Sequence, residues 1–480
     1  MKRVRPMLAG AGLAALLGGC IPQRIVWSPD GRQAAVLGGE DDNGYDLYFA
    51  DAEGRLGPKQ AANVCRVAWF PDSRRVVLAR LEKVDSWPRL AELLSREEQE
   101  FLDQTARHME SAIKASAYRE GRPSFDQDWE RVVSRYLAEQ RVTDAQVDAI
   151  KLYLARDERP AADPRAARRW GVLSPVTVCS LQLAAIEGDG LELGPIIHAA
   201  LWPVWDIRVS PSGTAVAFTA GDPLSNHKRP IDLMLHTIGG TQPGLTVARQ
   251  VAAYPDWSAD GRALVYIEAV AGQPRPDSDD LRLAAVTRQE IFDETGALVL
   301  AEKREEQLAG TLMSDLARVR CLKDGRIIFS GAEVCLPATP QDMPEAVQLF
   351  VLDPRQAATV GRLIPRQEQR TVGNGDFLWL FEVSPDERWI AFPGPGRQVV
   401  LLSLTMGGVF TVDRPDAGDG DAPRTVPAWR APDDLCYARS VDPEGAKGPA
   451  EIVLRPHPPA EEPRPISASW PREVAAGFLD

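Results

Sequence analysis

Apolar and polar residues alternate in short runs along most of this chain, and polar turns interrupt the alternation repeatedly. The clearest example is WSPDGRQAAVL, in which Trp27 precedes the turn and 32–37 follows it. Proline presets φ at the first central position of such a turn, aspartate tolerates the second, and glycine takes a positive φ without a Cβ clash. The pattern therefore predicts a β-hairpin in which 32–37 runs antiparallel to 25–27.

The same signature occurs seven times. The copies begin at Trp27, Trp69, Val209, Trp257, Cys321, Val383 and, in a degraded form, Trp429. Their defining turn residues are Pro29, Asp30, Gly31, Asp72, Gly213, Asp260, Gly261, Asp324, Gly325 and Asp386. Several copies are spaced by roughly 40–50 residues and are followed by further strand-like runs, which is typical of four-stranded propeller blades. We expect Trp27, Trp69 and Trp257 to pack between blades.

The W-S-P-D-G turn and the apolar strand after it resemble the repeats of TolB-like β-propellers, which are similar to WD40 repeats. The resemblance covers most of 23–470 apart from one insertion. It implies an all-β fold, namely a seven-bladed β-propeller, with six or eight blades as alternatives. It also implies protein partners in the cell envelope. Because propellers serve as binding proteins and as enzymes, the repeat is more specific for fold than for function.

One segment between the second and third copies has a different pattern. Apolar residues recur there at helical spacing and predict three helices, with N-caps at Ser95, Ser124 and Thr143. We interpret 84–170 as an α-helical insertion in blade two, which is either a docking module or a lid. The predicted domains are thus a signal peptide at 1–19 and propeller segments at 20–83 and 171–480.

Blade topology predicts where the insertion lies. Strands run up and down within a blade, so the S-P-D-G turns share one face of the disc. The connections from second to third strand, and the start of the first strand, lie on the other face. We therefore expect Ile21 and Phe101 to share a face.

The N-terminal residues predict export and lipid attachment. Basic residues precede an apolar run that is too short to span a bilayer, which is the layout of a cleavable signal. The run ends in a segment that resembles a bacterial lipoprotein box, made of Leu17, Gly18, Gly19 and the lipidated Cys20. The alternative is an ordinary signal peptide with an incidental cysteine. We expect a membrane-anchored lipoprotein of the bacterial cell envelope, facing the periplasm or the surface.

The net charge bears on the kind of partner, and the cysteine content bears on metal and redox chemistry. The 480 residues carry a formal net charge of -13, and no Lys/Arg-rich run follows the N-terminal signal, so nucleic acid is excluded as a partner. Beyond Cys20 the cysteines are Cys65, Cys179, Cys321, Cys335 and Cys436. They contain no C-x-x-C pair, so we expect neither zinc nor redox chemistry, and no disulfide pair is favoured.

Motifs for catalysis and cofactors are missing from the sequence. It contains no G-x-S-x-G, so we expect no α/β-hydrolase half, and its five histidines are scattered. Acidic clusters at 40–46 and 416–421 offer oxygen ligands for Ca²⁺, but Asx-rich turns explain them equally well. We expect no cofactor, with Ca²⁺ as the alternative, and no metal ligand is assigned.

These patterns together favour a monomeric, non-catalytic scaffold for protein–protein interaction in the envelope, bound through its loop-rich face. The first alternative is a propeller enzyme, either a hydrolase or a lyase, with its site at the mouth of the central channel. It would require converging Asp, Glu, His or Arg side chains there, with at least one strongly shifted pKa. The second alternative is a carbohydrate- or small-ligand-binding protein that uses the same position.

Overall fold

The computed structural model describes residues 23–39, 44–120, 125–156, 173–188, 190–223, 229–240, 244–270, 282–302, 304–332, 347–356, 360–365, 378–394, 398–413, 426–440, 450–456, 464–471 and 474. Within these residues the chain forms one seven-stranded sheet and five four-stranded sheets, in which strands consecutive in sequence are neighbours. The named strands pair antiparallel. The predicted all-β class is therefore confirmed.

The strands account for most of the regular structure. The seven-stranded sheet contains β1 (Ile25–Trp27), β2 (Gln33–Gly38), β3 (Tyr45–Asp51), β4 (Leu56–Trp69), β5 (Arg75–Val84), β6 (Val176–Glu187) and β7 (Gly190–Ala200). The next two sheets contain β8 (Val204–Val209), β9 (Ala215–Asp222), β10 (Arg229–Thr237) and β11 (Leu245–Arg249), then β12 (Asp256–Trp257), β13 (Ala263–Ala269), β14 (Arg282–Glu290) and β15 (Glu305–Met313).

The last three sheets follow in the same order. They contain β16 (Val319–Cys321), β17 (Ile327–Gly331), β18 (Gln348–Leu352) and β19 (Val360–Arg362), then β20 (Glu382–Val383), β21 (Trp389–Pro393), β22 (Val399–Ser403) and β23 (Val409–Asp413), then β24 (Ala428–Ala431), β25 (Asp434–Ser440), β26 (Ala450–Pro456) and β27 (Arg464–Pro465). Short 3-10 helices cover Leu300–Glu302 and Leu378–Leu380.

The first hairpin has the predicted register, since Trp27 lies opposite Ala34. Gly31 has φ +67, and the Asp30 carboxylate accepts hydrogen bonds from the Arg32 amide at 3.1 Å and the Ser28 hydroxyl at 2.6 Å. Five later turns repeat this geometry, with a positive φ at Ser73, Gly213, Gly261, Gly325 and Glu387. The local sequence thus closes each hairpin through its own side chains.

The seventh copy departs from that geometry. Ala431 pairs with Asp434, so a tight two-residue turn joins β24 to β25 and no glycine is needed. This shorter connection explains why the copy at Trp429 matches the repeat poorly.

Strand β4 belongs to two repeats at once. Its first part pairs with β3 as far as Val64, and its last part pairs with β5 as far as Trp69. At the change of partner, Asn63 has φ +60, a left-handed conformation that asparagine adopts more readily than most residues. The first two repeats therefore merge into one seven-stranded sheet.

Four helices lie between β5 and β6: α1 (Trp87–Leu93), α2 (Arg96–Glu120), α3 (Phe125–Ala138) and α4 (Asp144–Leu154). The sequence did not predict α1. Thr143 caps α4 in a full capping box with Gln146. Ser95 accepts from the Glu98 amide at 3.2 Å, whereas the Glu98 side chain accepts from Gln146 at 2.9 Å and ties α2 to α4 instead. The predicted cap at Ser124 lies outside the described residues.

The insertion packs on the second repeat. Leu90, Met109 and Ile150 from the helices share one hydrophobic cluster with Leu81 and Val178 from the sheet. No helix among the described residues is both long enough and apolar enough to cross a membrane.

The sheets contact one another through their flat faces. Tryptophans at the ends of first strands donate hydrogen bonds to the preceding repeat: Trp69 to the Val26 carbonyl at 2.8 Å, and Trp257 to that of Arg208 at 3.0 Å. Ile25 from the first sheet and Ile452 from the last share a buried cluster. The arrangement is propeller-like, and these tryptophans pack between repeats.

Candidate functional site

The first strand of every repeat begins on one side of the molecule and ends on the other, where the turn to the second strand lies. We call the side where these strands begin the mouth face and the opposite side the turn face. Because β5 runs antiparallel to the end of β4, β5 ends on the mouth face, and the helical insertion that follows it starts there. Ile21 lies outside the described residues, but Gln23 precedes β1 and lies on this face.

A cavity of about 30 Å³ lies on the mouth face, where the first strands begin. Residues from all seven repeats line it: Gln23, Val26, Arg66, Val67, Trp205, Asp206, Ile207, Tyr254, Arg318, Leu380 and Val426. The inner strands thus converge on one small polar space.

Beside the cavity lies a cluster of buried charges, which we call the arginine–carboxylate cluster. It consists of Asp206, Arg208, Asp256, Arg318, Arg320 and Glu382. Arg208 Nε lies 2.7 Å from Asp206 Oδ2. Glu382 accepts from Arg318, and its Oε1 lies 3.1 Å from Arg320 Nη2. The charges therefore connect four repeats.

Strand periodicity explains why these side chains meet. Residues two apart on a strand point to the same side, so Asp206 and Arg208 project together from β8. Arg318, just before β16, and Arg320 within it have the same spacing. Both arginines are almost fully buried, with 3% and 6% of their surface exposed.

The cluster shifts the pKa values of its own members. Burial alone would raise the pKa of Glu382, but the Arg320, Arg318 and Arg208 guanidinium groups outweigh it and lower the pKa to about 2. Burial and the positive charge of Arg208 lower the pKa of Arg320 to about 10, against the pull of Glu382. Glu382 is thus ionised at neutral pH, which disfavours it as a general acid or base.

Arg318 links the cluster to the cavity wall. Its guanidinium lies 4.4 Å from the centre of the Tyr254 ring, and Nη1 donates to the Phe381 carbonyl at 3.0 Å. Its Nε is buried and has no hydrogen-bond partner among the described residues. A buried donor without a partner is costly, so this atom is a place where a ligand acceptor would stabilise the site.

Arg66 is the second arginine in the cavity lining, and it belongs to a different repeat from Arg318. Its Nε donates to the Trp205 carbonyl at 3.1 Å and its Nη1 to the Cys65 carbonyl at 2.8 Å. These bonds fix the side chain against the start of β8. Arg66 and the cluster together bring four arginines and three carboxylates to the site, in a chain whose formal net charge is -13.

The residues predicted from sequence lie elsewhere. The repeat-turn residues form the turn face, where the carboxylates of Asp30, Asp72, Asp260, Asp324 and Asp386 hold the turns. Leu17, Gly18, Gly19 and Cys20 lie outside the described residues, as do 416–421 and most of the acidic run at 40–46. No group of three or more potential metal ligands occurs in the part of the chain that the structure describes.

Sequence reasoning missed the cluster, although a signal was present. When the copies are aligned on the residue before the turn, the cluster residues all occupy the positions one and three residues earlier, and the position three residues earlier lines the cavity in copies two to seven. In copies three to six these positions hold Asp206, Arg208, Asp256, Arg318, Arg320 and Glu382, together with Tyr254 and Leu380. Apart from Arg24 and Arg66, the other copies have apolar residues there. Charges at inward-facing strand positions would have predicted the site.

Comparisons with known proteins give structural similarities but no family. No family model matches the chain, and no curated protein matches its sequence. The β-propeller domain of the Trilobed protease from Pyrococcus furiosus is similar in structure, with a TM-score of 0.35 and 12% identity over 60% of this chain and 74% of that one.

Two enzymes are also similar in structure. The tricorn protease has a TM-score of 0.44 and 10% identity over 81% of this chain and 30% of that one. Oligogalacturonate lyase in complex with manganese has a TM-score of 0.37 and 15% identity over 77% of this chain and 72% of that one. At such identities the likeness concerns the fold, and this chain spans less than a third of the tricorn protease.

These similarities correct two expectations from the sequence. The three structures named here are a protease, the β-propeller domain of a protease and a lyase. These comparisons contradict the expected non-catalytic scaffold and the expectation that the protein is not an enzyme. The enzymatic alternative stays a proposal. The sequence pointed away from an enzyme because charged residues on separate strands, far apart in sequence, form no recognisable motif.

Proposed function

We propose that this protein is a hydrolase or lyase with its active site in the cavity on the mouth face. The observation that carries the proposal is that the arginine–carboxylate cluster, drawn from four repeats, lies beside that cavity and contributes Asp206 and Arg318 to its lining. Catalytic sites gather charged groups with strongly shifted pKa values in clefts, and Glu382 and Arg320 have such shifts. This is the arrangement that the enzymatic alternative required.

The cavity suggests how the residues divide the work. Arg66 and Arg318 line it, and fixed guanidinium groups in a water-poor site stabilise negative charge that develops on a substrate oxygen. Asp206 is the carboxylate that lines the same cavity. We assign it proton transfer, with Arg208 holding its side chain in position.

A direct test compares Asp206→Asn with Asp260→Asn, a matched change on the turn face. Activity is measured on two panels, one of carboxylated oligosaccharides for lyase activity and one of peptide amides for hydrolase activity. Loss of a general acid or base lowers kcat by about 10²–10⁴-fold, so Asp206→Asn should lose that much and Asp260→Asn little. Equal turnover by both variants, or no turnover of either panel by the wild type, contradicts the proposal.

We further propose that the sheets form a closed seven-bladed propeller. Strand β4 serves the first two repeats, so each of the seven repeats has four strands. Trp470 donates to the Gly54 carbonyl at 2.7 Å, which joins the C-terminal segment to the first repeat. Trp470→Ala should therefore lower the melting temperature of the whole protein in one transition. If the terminal sheet of this variant melted separately from the rest, that result would contradict closure.

We also propose that Cys20 carries the lipid anchor and places the protein in the cell envelope. Gln23, three residues later, lines the cavity, so an anchor at Cys20 would hold the mouth face close to the bilayer. Metabolic labelling with a fatty acid should mark the wild type and not Cys20→Ser. Labelling of both would contradict the assignment.

A further inference from the structure

We infer that the cavity on the mouth face binds a carboxylate group, held between Arg66 and Arg318. The inference rests on the proposed function only in naming that carboxylate as part of the substrate. It follows from the charge, the size and the hydrogen-bonding capacity of the cavity.

The charge of the site favours an anion. Two guanidinium groups and one carboxylate line the cavity. Glu382, which pairs with Arg318, is shared with Arg320, so one carboxylate serves two arginines. An added negative charge would stabilise the excess positive charge, and it would do so strongly because buried charges are weakly screened.

The size of the cavity favours a small planar group. A water needs about 10–15 Å³ of such space, so the 30 Å³ of the cavity corresponds to about two oxygen positions. A carboxylate has two oxygens at fixed spacing. The rest of a ligand would extend from the cavity across the mouth face.

The hydrogen-bonding capacity favours the same group. The Arg318 Nε is a buried donor without a partner among the described residues, and it belongs to a side chain that lines the cavity. A guanidinium donates in the plane of its fork and matches the geometry of a carboxylate. The Tyr254 ring against Arg318 holds this fork in place.

The experiment measures binding of acetate to the full-length protein by calorimetry, with acetamide as an uncharged molecule of the same shape and chloride as an anion without a fork. We expect acetate to bind and acetamide to bind at least 10-fold more weakly. Arg66→Gln should weaken acetate binding at least 10-fold. Arg75→Gln, which removes an arginine from the turn face, should leave it unchanged.

Arg318 needs a gentler substitution, because its removal leaves Glu382 with one fewer partner. Arg318→Lys keeps the charge beside Glu382 but loses Nε and the planar fork, so acetate binding should weaken while the melting temperature changes little. Equal binding of acetate and acetamide overturns the inference. So does equal binding of acetate and chloride, or undiminished acetate binding by Arg66→Gln.

These outcomes separate the inference from the proposed function. If acetate binds as expected but no substrate is turned over, the carboxylate site stands and the enzyme proposal fails. If uncharged substrates are turned over and acetate does not bind, the enzyme proposal stands and the carboxylate site fails.

Discussion

The turn face and the mouth face of this protein are held together by different kinds of contact. On the turn face, each repeat closes its hairpin with its own side chains, as Asp30 does with Ser28 and the Arg32 amide. On the mouth face, the contacts of the arginine–carboxylate cluster join residues far apart in sequence, such as Arg318 and Glu382. The turns are repetitive and largely solvated, whereas the arginine–carboxylate cluster differs from repeat to repeat and is buried. Stability should therefore respond very differently to substitutions on the two faces.

The sharpest test of this comparison is Glu382→Gln. It leaves Arg318 and Arg320 buried beside a neutral amide, and breaking a buried ion pair by removing one partner costs about 3–5 kcal/mol. The free energy of unfolding from urea denaturation measures the change. The double variant in which Arg320 is also replaced by Met should recover part of the loss. A loss below about 1 kcal/mol would show that the cluster is well solvated.

Acid unfolding is a second test of the buried ion pairs of Glu382. The pKa of Glu382 in the folded protein is about 2, below its ordinary value of 4.5. The ionised carboxylate therefore stabilises the fold fully above pH 4.5, and this contribution is lost as the pH falls from 4.5 towards 2. The wild type should lose stability across that window more steeply than Glu382→Gln. Parallel pH profiles for the two proteins would contradict the prediction.

Gly31→Ala should have an intermediate effect on the turn face. Gly31 has φ +67, and an added Cβ would lie 2.6 Å from the Arg430 carbonyl oxygen. The left-handed conformation and the close approach together should cost about 1–3 kcal/mol. Ser73→Gly is the matched control, because Ser73 already has φ +56 and should change stability by less than about 1 kcal/mol. Equal effects would contradict the steric argument.

Asp30→Ala should have the smallest effect. It removes hydrogen bonds from the exposed Arg32 amide and from the Ser28 hydroxyl. Ser28 is buried, but its hydroxyl oxygen still accepts from the Gln33 amide at 3.1 Å. The expected loss in the free energy of unfolding is about 0.5–1.5 kcal/mol. A loss as large as that of Glu382→Gln would remove the distinction between the two faces.

The same distinction explains which features could be predicted from the sequence and which could not. The hairpins, the all-β class and two of the helix caps follow from residues within five positions of one another, as Thr143 and Gln146 illustrate. The cluster depends on which strands become neighbours in space. Arg320 and Glu382 are 62 positions apart, and the sequence carries no local signal that the two side chains meet.

Helix α1 shows a second reason for missed structure. It is seven residues long and includes a proline near its start, so the segment is too short to show a helical periodicity in the sequence. Its Leu90 is nonetheless fully buried against the second repeat. Packing against the sheet, rather than intrinsic propensity, stabilises such a short helix.

The continuous course of β4 through two repeats has a mechanical consequence. Where other neighbouring repeats are joined by loops, these two share one hydrogen-bonded strand, so they cannot slide or rotate against each other without breaking its ladder. The amides of β1 to β7 should then open together as one cooperative unit in hydrogen exchange. That unit forms a stiff sector beneath the helical insertion.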